Sequence, residues 1–124
     1  MKTIYTETAP KPIGPYSQGK IASGFIFLSG QIGIDPKSGN LVDGLAAQVE
    51  MALSNIENIL KSQGLGLSNV VKTTVYLTSM NLFSEFNTIY AQKFKGENLP
   101  ARTTVAVAEL PKNALVEIEV IAHQ

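Results

Sequence analysis

The chain has 124 residues, with ten basic and ten acidic side chains, one histidine and no cysteine. This length suits a single domain over 1–124 and is too short for two. The absence of cysteine excludes disulfides, a thiolate nucleophile and a cysteine-ligated metal, and the net charge of zero gives no general attraction to nucleic acid or to an anionic membrane.

The N-terminal third is predicted to hold a stiff proline-rich segment between strands. Short strands are expected near residues 3–5 and 20–21. Between them, APKPIGPYSQ (9–18) contains three prolines, which forbid a helix or a central strand and push the residues before them towards extended geometry. Residues 24–34 then predict a strand, and DPKSGN (35–40) predicts a turn.

Two helices follow from apolar side chains that repeat at helical spacing. The first is predicted over 44–63, with Asp43 as its N-terminal cap and Gly64 ending it. The second is predicted over 82–94, with Asn81 as its cap.

Three further strands complete the predicted architecture. Residues 69–78 are rich in β-branched side chains, and 102–109 and 115–122 follow the second helix. The loop LPKNA (110–114) is short enough to join the last two strands as a hairpin. The order of elements predicts an α+β sandwich with two helices on one face of the sheet.

The predicted sheet has apolar side chains on both faces, and two helices can cover only one of them. Strand 24–34 and the last strand carry large apolar side chains on both faces. In the last strand these are Val116, Ile118 and Val120 on one face and Leu115 and Ile121 on the other. A second copy of the chain in a closed homo-oligomer is the expected cover. The alternative is a partly apolar exposed face, which is common.

The sequence also predicts the compartment. No apolar run is long enough to cross a bilayer, and the first ten residues lack the apolar stretch of a signal peptide. The expected location is therefore the cytoplasm.

Few residue types are left to carry chemistry. There is no phosphate-binding glycine motif and no HExxH metal motif, and His123 is expected to be a solvated chain end. Arg102, the sole arginine, opens a predicted strand, and its guanidinium fork matches a carboxylate. The alternative is a solvated arginine at a strand end.

Two carboxylates in the last strand form the other candidate. Glu117 and Glu119 are two residues apart and project from the face that carries Leu115 and Ile121. Partial burial would raise the pKa of one of them and suit it to proton transfer. The alternative is that both pair with lysines or face water.

Two more positions have open interpretations. Ser29–Gly30 interrupts the most hydrophobic strand, which indicates either a close approach of a ligand or backbone or a packing accommodation. Asn87 lies at the edge of the apolar stripe of the second helix, as a solvated residue or as part of a pocket wall.

Four stretches together resemble the Rid family (reactive intermediate deaminases of the RidA or YjgF type) over essentially the whole chain. They are APKPIGPYSQ, FLSGQIGIDPKSG, VVKTTVYL with the helix after it, and PARTTVAVAELPKNALVEIEVIA. The resemblance implies a chorismate-mutase-like (ferredoxin-like) α+β fold with a mixed sheet. It also implies a homotrimer that closes a central β-barrel and has three clefts between its subunits.

The resemblance further implies an activity. Members hydrolyse 2-imino acids and their enamine tautomers, typically 2-iminobutanoate and 2-iminopropanoate, to 2-oxo acids and ammonia. They use no cofactor of their own and act after pyridoxal-phosphate-dependent threonine and serine dehydratases. The alternatives are a non-catalytic protein that binds 2-oxo acids or acts as a chaperone, and a ribonuclease that inhibits translation. The zero net charge and the lack of a usable histidine argue against nucleic acid as a partner.

Site residues follow from the same resemblance. Arg102 matches the arginine that binds the substrate carboxylate, and Glu117 matches the carboxylate that positions or activates water. Five other positions match residues of the substrate cleft, namely Tyr16, Ser29, Gly30, Asn87 and Thr104. Thr104 falls where many members have cysteine, which puts in doubt only a thiol-based role. Glu119 matches no residue with an assigned role.

Overall fold

The computed structural model describes residues 1–124 as six strands and two helices around one sheet. The strands are β1 Lys2–Ile4, β2 Gly19–Ala22, β3 Phe25–Leu28, β4 Val70–Leu77, β5 Ala101–Ala106 and β6 Val116–His123. The helices are α1 Leu45–Lys61, between β3 and β4, and α2 Phe83–Lys93, between β4 and β5. Neither helix has the length and apolar character needed to cross a membrane.

The sheet is mixed, with the strand order β1-β2-β3-β6-β4-β5. Every neighbouring pair is antiparallel except β4 and β5, which are parallel and are linked through α2. The predicted hairpin between the last two strands is therefore wrong, because β4 lies between them. β6 takes a central place because three of its side chains, Val116, Ile118 and Val120, are almost fully buried, whereas β5 has no fully buried residue and forms an edge.

Both helices pack on one face of the sheet, where the hydrophobic core lies. Val75 of β4 and Ile118 of β6 are paired in the register and fully buried on this face. The opposite face, called here the open face, has no cover within the chain, and Phe25 and Phe27 on β3 are 39% and 45% exposed. The prediction of strands with two apolar faces is confirmed for β3.

Strand β3 is shorter than the predicted strand over 24–34. It ends at Leu28, and the chain returns to the sheet at Gln31 through a single bridge to Ile118. The predicted interruption at Ser29–Gly30 is thus present. Here the Ser29 backbone N–H donates to the carbonyl of Gln18 at 2.9 Å.

The helix ends agree only in part with the predicted caps. Gly64 has a positive φ of 75°, and the N–H of Leu65 reaches back to the Leu60 carbonyl at 3.0 Å, as predicted for a glycine stop. Asp43 does not cap α1, because Gly44 holds the cap position without a side-chain bond. Asn81 does not cap α2 either: its own N–H is bound by the Ser79 hydroxyl in a short 3₁₀ turn before the helix.

Candidate active site

One buried side chain fastens the proline-rich segment. Gln18 is only 2% exposed, and its amide nitrogen donates to the carbonyls of Thr6 at 3.0 Å and Pro10 at 2.9 Å. Its oxygen accepts from the N–H of Thr6 at 2.7 Å. The segment is therefore held by a long-range hydrogen-bond clamp as well as by its prolines, and the composition alone gave no sign of this clamp.

The segment presents Tyr16 at a small cleft. Tyr16 is about half exposed, and its hydroxyl accepts from the Ile13 N–H at 3.2 Å. The cleft has a volume of about 50 Å³, and its wall includes Tyr16, Gly30 and Glu117. Ser29 lies beside it on the open face, where its hydroxyl donates to the Ser17 carbonyl at 2.6 Å. The structure thus gathers Tyr16, Ser29, Gly30 and Glu117 in one region.

Glu117 packs directly against the backbone of Gly30. A Cβ atom at position 30 would lie 2.8 Å from the Cδ of Glu117, so any other residue would displace the carboxylate. Burial, and then the negative charge of Glu119, raises the pKa of Glu117 above its ordinary value. This agrees with the expectation that one carboxylate of the pair is partly buried.

Neither carboxylate pairs with a lysine. The chain has one ion pair, Lys61 with Glu57, on the surface of α1. Glu119 instead accepts a hydrogen bond from the Tyr76 hydroxyl at 2.6 Å.

Arg102 is held by aromatic rings rather than by an acid. Its guanidinium carbon lies 4.8 Å from the ring centre of Tyr90, 5.6 Å from that of Phe83 and 5.7 Å from that of Phe86, all on α2. Cation–π contact at these distances is favourable and leaves the hydrogen-bonding fork free. An arginine that contacts aromatic rings and has no acidic partner is suited to bind a carboxylate from outside the chain.

Two polar atoms near this arginine lack partners. The side-chain oxygens of Asn87 on α2 and Thr104 on β5 are buried and make no hydrogen bond. Thr104 pairs with the buried Val75 and Arg102 pairs with the buried Thr73, so both project from β5 towards α2. Buried polar atoms without partners are rare in native proteins, which favours Asn87 as a pocket wall over a solvated edge residue.

The two groups lie on opposite faces of the sheet. Thr73, the register partner of Arg102, bonds to the Tyr90 hydroxyl under the helices at 2.9 Å. Tyr76, the register partner of Glu117, lies three residues further along β4 and therefore points to the open face. A single chain thus does not bring Arg102 and Glu117 to one ligand. The residue types predicted the two groups, but the faces they occupy depend on strand pairing, and β5 pairs with β4 instead of forming the predicted hairpin with β6.

Comparisons with known proteins agree on the family. Residues 6–124 match the family described as Endoribonuclease L-PSP. The chain is 51% identical to a RutC family protein of Pyrococcus horikoshii, over 99% of this chain and 98% of that protein. It is 49% identical to the human 2-iminobutanoate/2-iminopropanoate deaminase, over 99% of this chain and 90% of that protein.

The fold agrees with that of solved structures of this family. The crystal structure of RidA from an Antarctic Psychrobacter superposes with a TM-score of 0.96 at 39% identity, and the alignment covers 100% of both chains. The prediction of a Rid-type α+β fold, with a mixed sheet and two helices on one face, is confirmed. The chain belongs to the Endoribonuclease L-PSP family, which includes the RidA and YjgF proteins.

Proposed function

We propose that this protein hydrolyses reactive 2-imino acids and their enamine tautomers, such as 2-iminobutanoate and 2-iminopropanoate, to 2-oxo acids and ammonia. The observation that carries the proposal is Arg102, whose fork has no acidic partner and whose guanidinium lies against three aromatic rings. The identity of 49% to a human protein named for this activity supports it.

The site is proposed to lie between subunits of a homotrimer that closes a central β-barrel. Arg102 and Glu117 project from opposite faces of the sheet, so a ligand that touches both needs two chains. The open face, with Phe25 and Phe27 exposed, supplies an apolar surface for such a contact. One wall of each cleft then carries Arg102, Asn87 and Thr104, and the other carries Glu117 with Tyr16, Ser29 and Gly30.

In this site, binding and proton transfer are divided between the walls. Arg102 binds the substrate carboxylate with two parallel hydrogen bonds and so orients carbon C2 towards Glu117 of the neighbouring subunit. Once the imine nitrogen is protonated, water held by the Glu117 carboxylate attacks C2 and gives the carboxylate a proton. Glu117 passes this proton to the nitrogen and takes up the proton of the new hydroxyl as the C–N bond breaks, which releases ammonia and the 2-oxo acid. Burial and the charge of Glu119, which raise the pKa of Glu117, bring it nearer to the working pH.

The substrate chemistry places the protein after an enzyme that makes imines. Pyridoxal-phosphate-dependent threonine and serine dehydratases release such imines, and their hydrolysis needs only water and proton transfer. We place the reaction in the cytoplasm, since a chain without cysteine suits a reducing compartment.

The test is a dehydratase-coupled assay of 2-oxo acid formation. We expect Arg102→Lys and Arg102→Ala each to lower kcat/KM by about 10- to 100-fold, because lysine lacks the bidentate fork. Lys61→Ala, which removes a cation on the surface of α1, serves as the control with unchanged rate. An Arg102→Ala trimer with full activity would exclude the proposed role of Arg102.

The same assay distinguishes a deaminase from the other functional classes. Binding of 2-oxobutanoate without acceleration would indicate a metabolite-binding protein. Ribonuclease action has little support from the residues: the sole histidine, His123, is exposed at the end of β6 with its ring 4.6 Å from that of Phe25, and the net charge is zero.

A further inference from the structure

Three side chains form a small network on the open face: Tyr76 of β4 and Glu117 and Glu119 of β6. Tyr76 lies directly opposite Glu117 in the antiparallel ladder, and Glu119 is two residues further along β6. The hydroxyl of Tyr76 does not bond to its register partner; it donates across the diagonal to Glu119 at 2.6 Å. The two carboxylates, with Cα atoms about 7 Å apart along the strand, therefore have different surroundings.

Glu117 has no donor of its own. It is half-buried against Gly30 and makes no hydrogen bond or ion pair in the chain. Glu119, in contrast, accepts a short hydrogen bond from the Tyr76 hydroxyl at 2.6 Å. The pKa of Tyr76 is raised, mainly by this hydrogen bond and then by burial and the two negative charges, so the tyrosine remains a donor at neutral pH.

The other charged or titratable groups nearby do not neutralise the pair. Those that share cavities with the two carboxylates are Lys11 and Tyr16 beside Glu117, and Lys20 and Lys72 beside Glu119. Lys20 bonds to the Thr3 hydroxyl and Lys72 to the Thr103 hydroxyl, and no lysine forms an ion pair with either carboxylate. Neither carboxylate is therefore in an ion pair, and the charge of Glu119 acts on Glu117.

We propose that Tyr76 and Glu119 are positioning residues that assign the proton of the carboxylate pair to Glu117. Tyr76 anchors the Glu119 side chain by its hydrogen bond, and the negative charge of Glu119 favours the protonated form of Glu117. Glu119 has a hydrogen-bond donor and Glu117 has none, so Glu117 is the carboxylate of the two that lacks a partner for its charged form.

This inference rests on the proposed function only for its consequence in catalysis. Glu117 would enter the reaction as an acid and give its proton to the imine nitrogen. As carboxylate, it then takes a proton from the water that attacks C2. When the C–N bond breaks, Glu117 protonates the departing nitrogen and takes up the proton of the new hydroxyl, so one proton stays on the pair before and after the cycle.

The direct test is carboxyl NMR of protein labelled with ¹³C at glutamate, in which Glu117 is assigned by its loss in Glu117→Gln. In Glu119→Gln we expect the titration of Glu117 to move to lower pH, because the neighbouring like charge is gone. Tyr76→Phe should move it in the same direction by less, since the Glu119 side chain loses its hydrogen-bonded anchor but remains beside Glu117. Thr74→Val is the matched control, because Thr74 lies opposite Glu119 on β4 and makes no hydrogen bond to it.

A Glu117 titration that stays unmoved in Glu119→Gln would overturn the proposal, as would an equal shift in Thr74→Val. This readout needs no substrate, so it remains valid if the protein is not a deaminase. If it is one, the alkaline limb of the kcat/KM profile should move to lower pH in Glu119→Gln. A merely structural role would instead lower the rate equally at every pH.

Discussion

At the scale of single residues, the position of the Glu117 carboxylate depends on the absence of a Cβ atom at Gly30. Gly30 leaves room for the Glu117 side chain, and an added Cβ would lie 2.8 Å from its Cδ and 3.1 Å from its Oε2. The atoms that would be displaced are the end of a flexible side chain, so the fold can absorb the change by moving the carboxylate. Activity, rather than folding, is therefore the sensitive property at this position.

We expect Gly30→Ala to fold and to lose about 100-fold in kcat, since a carboxylate misplaced by about 1 Å costs roughly that much. The measurements are the dehydratase-coupled rate and the thermal midpoint of unfolding. Gly66→Ala is the control, because Gly66 has an extended φ of −146° and no atom within 4 Å of an added Cβ. Full activity in Gly30→Ala would show that the position of Glu117 does not limit the reaction.

At the scale of elements, the proline-rich segment is held in place without regular secondary structure. Residues 10–17 belong to no helix or strand, yet Gln18 binds both Thr6 and Pro10 from a buried position. The segment carries Tyr16 to the cleft beside Glu117. Gln18 thus links the core of the domain to one wall of the proposed site.

Gln18→Leu should lower the free energy of unfolding by about 2–4 kcal/mol, because it leaves several partly buried backbone groups without partners. Urea unfolding at a fixed protein concentration measures this change. Gln92→Leu, at an exposed position on α2, is the matched control and should stay within about 0.5 kcal/mol of the parent. Equal stability of the two variants would mean that the Gln18 clamp adds nothing to the fold.

The elements also show what could be predicted from the sequence. The body of α1 and its stop at Gly64 follow from local patterns, namely an apolar stripe and a residue that tolerates positive φ. The pairing of β5 with β4, rather than with β6, depends on contacts between distant parts of the chain and leaves no local pattern. The same holds for Gln18, whose hydrogen bonds span 8 to 12 residues.

At the scale of the whole molecule, residue types and geometry give different parts of the site. The residue types indicated an arginine that binds a carboxylate and a glutamate that transfers protons. The register adds that Arg102 faces α2 while Glu117 faces the open side of the sheet. In the proposed trimer each cleft would take Arg102 from one chain and Glu117 from the next, and this division can be tested by mixing chains.

Arg102→Ala and Glu117→Gln chains, each of low activity alone, should regain activity when mixed in equal amounts in the unfolded state and refolded. Random assembly of a cyclic trimer puts an intact arginine beside an intact glutamate in about one quarter of the clefts, so about one quarter of the parental rate is expected. If one chain supplied both residues, no cleft would be intact at any mixing ratio.

The control for this experiment uses two changes on the same wall. Gly30 lies against Glu117 within one chain, so mixing Gly30→Ala with Glu117→Gln damages every cleft. Its rate should not exceed the mean of the two variants measured alone. Recovery in the Arg102 and Glu117 mixture, with none in the control, would assign the walls to different subunits. Trimers that refold in both mixtures without recovery in either would place both residues of the site in one chain, against the opposite faces that the register gives them.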